Sequence, residues 1–130
     1  MILLDRHIWV FWMNGGSGIS PEQARAIDEN ADGGIGISPI SCWEVALLAS
    51  RGRLALKSDA SEWIQTALSH PGVVIKQLTP RIAVESTRLP DLEHRDPADR
   101  FLIATSRIHD CPLLTHDRVI LNYKHVRTIG

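Results

Sequence analysis

The chain has 130 residues, 44% of them hydrophobic and 22% charged, with a formal net charge of −1. That length fits one ordinary domain, residues 1–130, able to bury a core without disulfide or metal staples. The composition excludes a disordered or membrane-embedded chain, and the near-neutral charge gives no basic signature of a nucleic-acid partner.

The chain opens on the apolar run Ile2-Leu3-Leu4 and breaks at Asp5. The run is too short for a signal-peptide core and lacks a basic leader, so it reads as a buried strand. Ser20-Pro21-Glu22-Gln23 combines an N-cap serine, proline at the first helical position and a capping-box glutamine, which opens a helix. The Gly15-Gly16-Ser17-Gly18 run ahead of it lacks the Lys-Ser/Thr ending of a phosphate loop and reads as a connector. Residues 35–38 form a second strand, and Ser41-Cys42-Trp43-Glu44 is a capping box that opens a helix at Ser41. Gly52 ends that helix and lets the next fold back. There Trp63, Ile64, Ala67 and Leu68 recur at helical spacing.

Residues 73–78 form a third strand. Thr79-Pro80 and Asp96-Pro97 are both cap-plus-proline helix starts, residues 112–114 a fourth strand, and 126–129 a short edge strand. Strands thus alternate with helices as β-α-β-α-α-β-α-β-α-β. This pattern predicts an α/β fold, a three-layer α/β/α sandwich around a mostly parallel four- to five-stranded sheet. No apolar stretch is long enough to span a bilayer. Cys42 and Cys111 have no metal-ligand spacing and read as free thiols of a reducing cytoplasm.

Such sheets bind ligands outside the carboxyl ends of their strands. Four acids fall at that edge. Asp5 ends the first strand, Glu44 lies in the first turn after the second, Asp99 opens the helix begun at Asp96, and Asp117 follows the fourth strand. Three of them have plain structural roles available: Glu44 closing its capping box, Asp99 facing a helix N-terminus, Asp117 capping a last short helix. Asp5 has no obvious cap to fill. Like charges gathered in a crevice repel and need a positive compensator, and carboxylates suit Mg²⁺ or Mn²⁺. Zinc would ask for His or Cys pairs, and only His109 and His116, on either side of a strand, come near that. With the four acids set aside, the 15 acidic residues fall to 11 against 14 Lys and Arg, a mildly basic background compatible with RNA.

The segments Asp5-Arg6-His7, Ser38-Pro39-Ile40-Ser41-Cys42-Trp43-Glu44, Asp96-Pro97-Ala98-Asp99-Arg100 and Leu113-Leu114-Thr115-His116-Asp117 resemble, in order and spacing, the four motifs of PIN domains. The closest resemblance is to the VapC-like toxins of toxin–antitoxin pairs. It implies a PIN-like fold and a Mg²⁺- or Mn²⁺-dependent endoribonuclease cutting structured RNA of the transfer or ribosomal class. It also implies a homodimer and a small VapB-like antitoxin. It makes Asp5, Glu44 and Asp99 the core metal-binding acids, Asp117 the fourth, and Thr115 the hydroxyl that supports it. The departure is Arg6, where similar toxins carry Thr. An arginine cannot accept a hydrogen bond and can pair with an acid or compete with the metal, so weakened activity is expected.

A second reading is therefore a catalytically weak or silent PIN-like module that binds RNA or protein. A phosphatase would want a D-x-D spacing, which Asp5-Arg6-His7 lacks. Trp9 and Trp12 read as buried or interface residues. Arg100 is read as an ion-pairing or a rim residue with equal weight, and His94-Arg95, in a loop near the predicted crevice, as a solvated loop in preference to a phosphate contact.

Overall fold

Ile2, Leu3 and Leu4 are all buried, as a strand covered on both faces requires. In the computed structural model, which describes residues 1–130, Ile2 and Leu4 face one hydrophobic cluster and Leu3 the other. This strand, β1 (Ile2–Leu4), is central to a five-stranded sheet with β2 (Ile35–Ile37), β3 (Val73–Ile75), β4 (Leu113–Leu114) and β5 (Thr128–Ile129), in the order β3-β2-β1-β4-β5. Every neighbouring pair is parallel. The strands are shorter than the apolar runs suggested, and residues 76–78 lie outside β3.

The helices are α1 (Arg6–Met13), α2 (Pro21–Glu29), α3 (Pro39–Ser50), α4 (Ala60–Leu68), α5 (Pro80–Ser86), α6 (Pro97–His109) and α7 (Arg118–Leu121). On one face of the sheet α1, α2, α3 and α4 supply Ile8, Trp9, Ala26, Ile27, Val45 and Ala67. On the other, α6 and α7 supply Leu102, Ile103 and Ile120. The three layers stand as expected, with two more helices than the alternation pattern counted. One is α1, directly after β1; the other arises because Thr79-Pro80 and Asp96-Pro97 open separate helices.

Three local readings are corrected. The helix after β2 starts at Pro39, capped by Ser38, whose Oγ accepts from the Ile40 N–H at 3.1 Å. Proline at the first helical position favours that start, and it leaves Ser41 and Glu44 inside the helix instead of forming a capping box. Second, Asp5 does cap a helix: its Oδ1 accepts from the Arg6 N–H at 2.7 Å at the start of α1. Third, Glu44 stands in the second turn of α3 instead of the first; Trp9 is fully buried as expected, and Trp43 is 55% exposed. Gly52, at φ +67°, follows α3 and provides its turn as expected.

Gln23 links the α2 cap to the sheet. It is fully buried; its Nε2 donates to the carbonyls of Thr115 (3.1 Å) and Ile129 (2.9 Å) while its Oε1 accepts from the Ser20 N–H. The residue that closes the capping box thereby also fixes the carboxyl ends of β4 and β5, where Asp117 follows.

Candidate active site

The chain order of the strands reverses at β1, whose neighbours are β2 and β4. Leu4 pairs with Leu114, so the next residues, Asp5 and Thr115, emerge side by side. Asp5 is 4% exposed. Its Oδ2 accepts from the Thr115 hydroxyl at 2.7 Å, and that hydroxyl in turn accepts from the Asp117 N–H at 3.0 Å. One buried threonine therefore connects the first acid to the fourth. Asp117 caps α7, Oδ1 accepting from the Ile120 N–H at 3.1 Å. At both Asp5 and Asp117 one carboxylate oxygen, Oδ1, caps the helix, and at Asp5 the other takes the Thr115 hydroxyl, each oxygen keeping a further lone pair.

Asp99 sits in the first turn of α6, where Asp96 caps the helix and accepts from the Asp99 N–H at 3.1 Å. Helix α3 packs against α6, and Glu44 and Asp96 line one small cleft with Trp43, Leu47, Leu48, Pro97 and Ala98. Ser41, one turn before Glu44, is fully buried with its Oγ unpartnered.

The electrostatics show the convergence. Burial pushes the Glu44 carboxyl up to about 7; Arg6 opposes the shift while Asp5 and Asp99 add to it. Burial also pushes Asp99 up to about 6, opposed by the His94 hydrogen bond and reinforced by Asp5, Asp96 and Asp117. These carboxylates lie close enough to hinder one another's ionisation, and their oxygen donors fit a hard divalent cation. Arg6 forms no ion pair with any of them, and its Nε is buried without a partner. Its charge therefore acts on Glu44 through space only.

Sequence reasoning placed His94 near the crevice but did not pair it with an acid. Its Nε2 lies 2.6 Å from Asp99 Oδ2, and ligand atoms of His94, Asp99 and Asp117 all fall within 4.8 Å of one another. Asp5 and Glu44 stand outside that triangle. The side chain is 24% exposed, not a solvated loop residue. Arg100 is neither an ion-pair partner nor a free rim residue: it donates to the carbonyls of Ser86, Leu92 and His94 and so anchors the loop before α6. The histidine pair that does form is His7 with His116, ring centroids 5.6 Å apart, instead of His109 with His116. His7 Nε2 accepts from the His116 N–H at 2.9 Å, and burial pushes the ring below the ordinary histidine range against the pull of Asp5. The largest cleft, about 540 Å³, lies elsewhere, lined by Arg81, Arg107, Lys124 and Arg127 and by none of the four acids. Chemistry, not volume, marks the site.

A PIN domain family model matches residues 2–126. The chain belongs to the PIN-domain family. It is 33% identical over 128 residues to Ribonuclease VapC22 of Mycobacterium tuberculosis, covering 98% of this chain and 95% of that one. Its fold matches VapBC2 from Rickettsia felis bound to a promoter DNA fragment at a TM-score of 0.73, with 17% identity, covering 99% of this chain and 98% of that one. A toxin–antitoxin complex from Klebsiella pneumoniae matches at a TM-score of 0.70, with 20% identity, covering 100% and 97%. Within this PIN fold, the four acids sit on the four motif segments read from the sequence.

The raised acids make the metal-free protein pH-sensitive. A carboxyl whose folded pKa is raised binds its proton more tightly when folded, so stability is gained as pH falls through about 7 and lost as pH rises through it. The Glu44 and Asp99 contributions both run this way. His7, held low, works against them only below its ordinary value of 6.5. Calorimetry in EDTA is expected to give a higher melting temperature at about pH 6.5 than at about pH 8. A flat or opposite trend would contradict the raised pKa of Glu44 and Asp99, of which burial is the largest cause.

Proposed function

We propose that the protein is a divalent-metal-dependent endoribonuclease of the VapC toxin type, with Asp5, Glu44, Asp99 and Asp117 as its metal-binding acids. The observation that carries this is the gathering of acids from β1, α3, α6 and the turn after β4 at one sheet edge, with Glu44 and Asp99 raised by burial and by their neighbours. The curated relative supports RNA as substrate. When bound, Mg²⁺ or Mn²⁺ supplies an activated water and charge stabilisation for a phosphodiester. The chain's own residues orient the acids: Thr115 and the Arg6 N–H hold Asp5, His94 meets Asp99, and the α7 cap holds Asp117. Because Glu44 and Asp99 must shed protons to serve as ligands, metal affinity rises with pH.

The proposal extends to a small VapB-like antitoxin partner, a homodimer, a structured RNA target of the transfer or ribosomal class, and a cytoplasmic location. Solved toxin–antitoxin complexes with the same fold support the antitoxin reading, and no helix is long and apolar enough to cross a membrane.

Arg6 favours a second reading, a weak or silent module, since its charge reaches Glu44 where a metal would compete. Both readings are tested by RNA cleavage with added Mg²⁺ or Mn²⁺, with EDTA, and with Asp5→Asn. Metal-dependent cutting lost in Asp5→Asn supports the nuclease; RNA or partner binding without cutting supports the module. In the same assay, Arg6→Thr is expected to raise cleavage several-fold (~1 kcal/mol of relieved repulsion at an effective dielectric near that of a protein surface). Unchanged or lower cleavage would clear Arg6 of a restraining role.

A further inference from the structure

We propose that His94 is a ligand of the site's metal through its imidazole nitrogen, and that this donor makes the site prefer Mn²⁺ to Mg²⁺. The inference rests on the metal-site reading above and deepens it. Three observations carry it.

The first is spacing. Donor atoms bound to an octahedral ion at about 2.1 Å sit about 3 Å apart when adjacent and about 4.2 Å apart when opposite. His94 Nε2 and Asp99 Oδ2 are hydrogen-bonded at 2.6 Å, a contact that a shared ion would replace by parting the two atoms slightly, and the Asp117 donor completes a set within 4.8 Å. His94, Asp99 and Asp117 thus form the tightest group of potential donors, tighter than any containing Asp5 or Glu44.

The second is anchoring. His94 lies between α5 and α6, and its loop is fixed by backbone carbonyls. Arg100 donates to Leu92 (3.2 Å) and to His94 itself (2.9 Å), Tyr123 donates to Pro90 at 2.5 Å, and Leu89 is buried in the core beneath α6. An imidazole on so braced a segment is positioned before any ion arrives.

The third is elimination among the histidines. His7 Nε2 is taken by the backbone N–H of His116 and His116 Nε2 by the neutral Gln23 Oε1 at 2.9 Å, whereas the partner of His94 Nε2 is Asp99, itself a candidate ligand. Neither falls in the tight donor group.

The chemical consequence follows from donor type. Mg²⁺ dehydrates reluctantly and favours an all-oxygen shell, whereas first-row transition ions accept imidazole nitrogen readily. A shell of one nitrogen and two or more carboxylate oxygens therefore shifts selectivity toward Mn²⁺ without abolishing Mg²⁺ binding.

The test is pulsed EPR on the full-length protein loaded with Mn²⁺, with affinities for Mn²⁺ and Mg²⁺ measured by competition. Wild type is expected to show electron-spin-echo modulation from a directly bound ¹⁴N and to bind Mn²⁺ about tenfold or more tighter than Mg²⁺. His94→Gln is expected to lose the nitrogen modulation and most of the Mn²⁺ preference while still binding metal. Were His94 only to hold Asp99 by a hydrogen bond, Mn²⁺ would bind in an Asp99-dependent way with no bound nitrogen. That result, or a nitrogen signal that survives His94→Gln, overturns the inference and leaves the metal site intact. Mn²⁺ binding that is absent, or undiminished in Asp99→Asn, overturns both. Should His94→Gln fail to fold by circular dichroism, the wild-type measurements decide, and a missing ¹⁴N signal or a Mn²⁺ to Mg²⁺ affinity ratio near one sinks the inference.

Discussion

Asp99→Asn is expected to lower RNA cleavage by at least about 100-fold, since groups that merely orient metal ligands are already worth ~10–100-fold. Asn keeps the shape of the side chain but removes the charge. The Asp96 cap, Oδ1 accepting from the residue 99 N–H, is retained. The same change should raise, not lower, the melting temperature of the metal-free protein at about pH 8. Asp99 is a half-buried acid whose ionisation is opposed by burial and by three neighbouring carboxylates, and removing it relieves that repulsion. Glu44 loses one of the charges that raise it, so its pKa should fall. Single-turnover cleavage and thermal melts on the same preparation separate the loss of function from any loss of fold. An active Asp99→Asn, within a few-fold of wild type, would contradict the assignment.

Thr115→Val is expected to cost about 1–3 kcal/mol of stability, the penalty for leaving a buried polar group unpaired. It should also cost ~10–100-fold in cleavage. Valine fills the same volume in a fully buried position but removes the hydroxyl that donates to Asp5 Oδ2 and accepts from the Asp117 N–H. Asp5 loses one of its two fixed donors, and the backbone entering α7 loses an acceptor. Thr115→Ser keeps both bonds and should stay near wild type. Urea unfolding with a cleavage assay on both variants checks this, and equal activity of the two would show that the hydroxyl does not position the acids.

The parts of this fold that the sequence disclosed are those written in local chemistry. Ser20-Pro21, Thr79-Pro80 and Asp96-Pro97 each pair a side-chain acceptor with a residue that lacks an N–H, and each opens a helix at that point. The same signal at Ser38-Pro39 was outweighed by the Ser41-Glu44 box, which has the right spacing but begins inside the helix. Helix α1 was hidden because Ile8 through Met13 is apolar throughout, so no period of 3.6 stands out, and its cap is the acid assigned to the site. Asp5 caps α1 through Oδ1 while Oδ2 faces Thr115, so a cap reading and a site reading were never exclusive. The carboxyl-edge rule pointed to the loops that follow the strands, where Asp5 ends β1 and Asp117 follows β4. The pairing of His94 with Asp99 was beyond such reasoning, since it depends on Arg100, Tyr123 and Leu89 gripping a loop with no regular structure.

The central claim is that these acids form one metal centre, and anomalous diffraction from a Mn²⁺-soaked crystal tests it most directly. A peak is expected at the carboxyl edge of β1 and β4, about 2.2 Å from carboxylate oxygens that include Asp99. No peak there at saturating Mn²⁺, or a peak only at other carboxylates, would contradict the account.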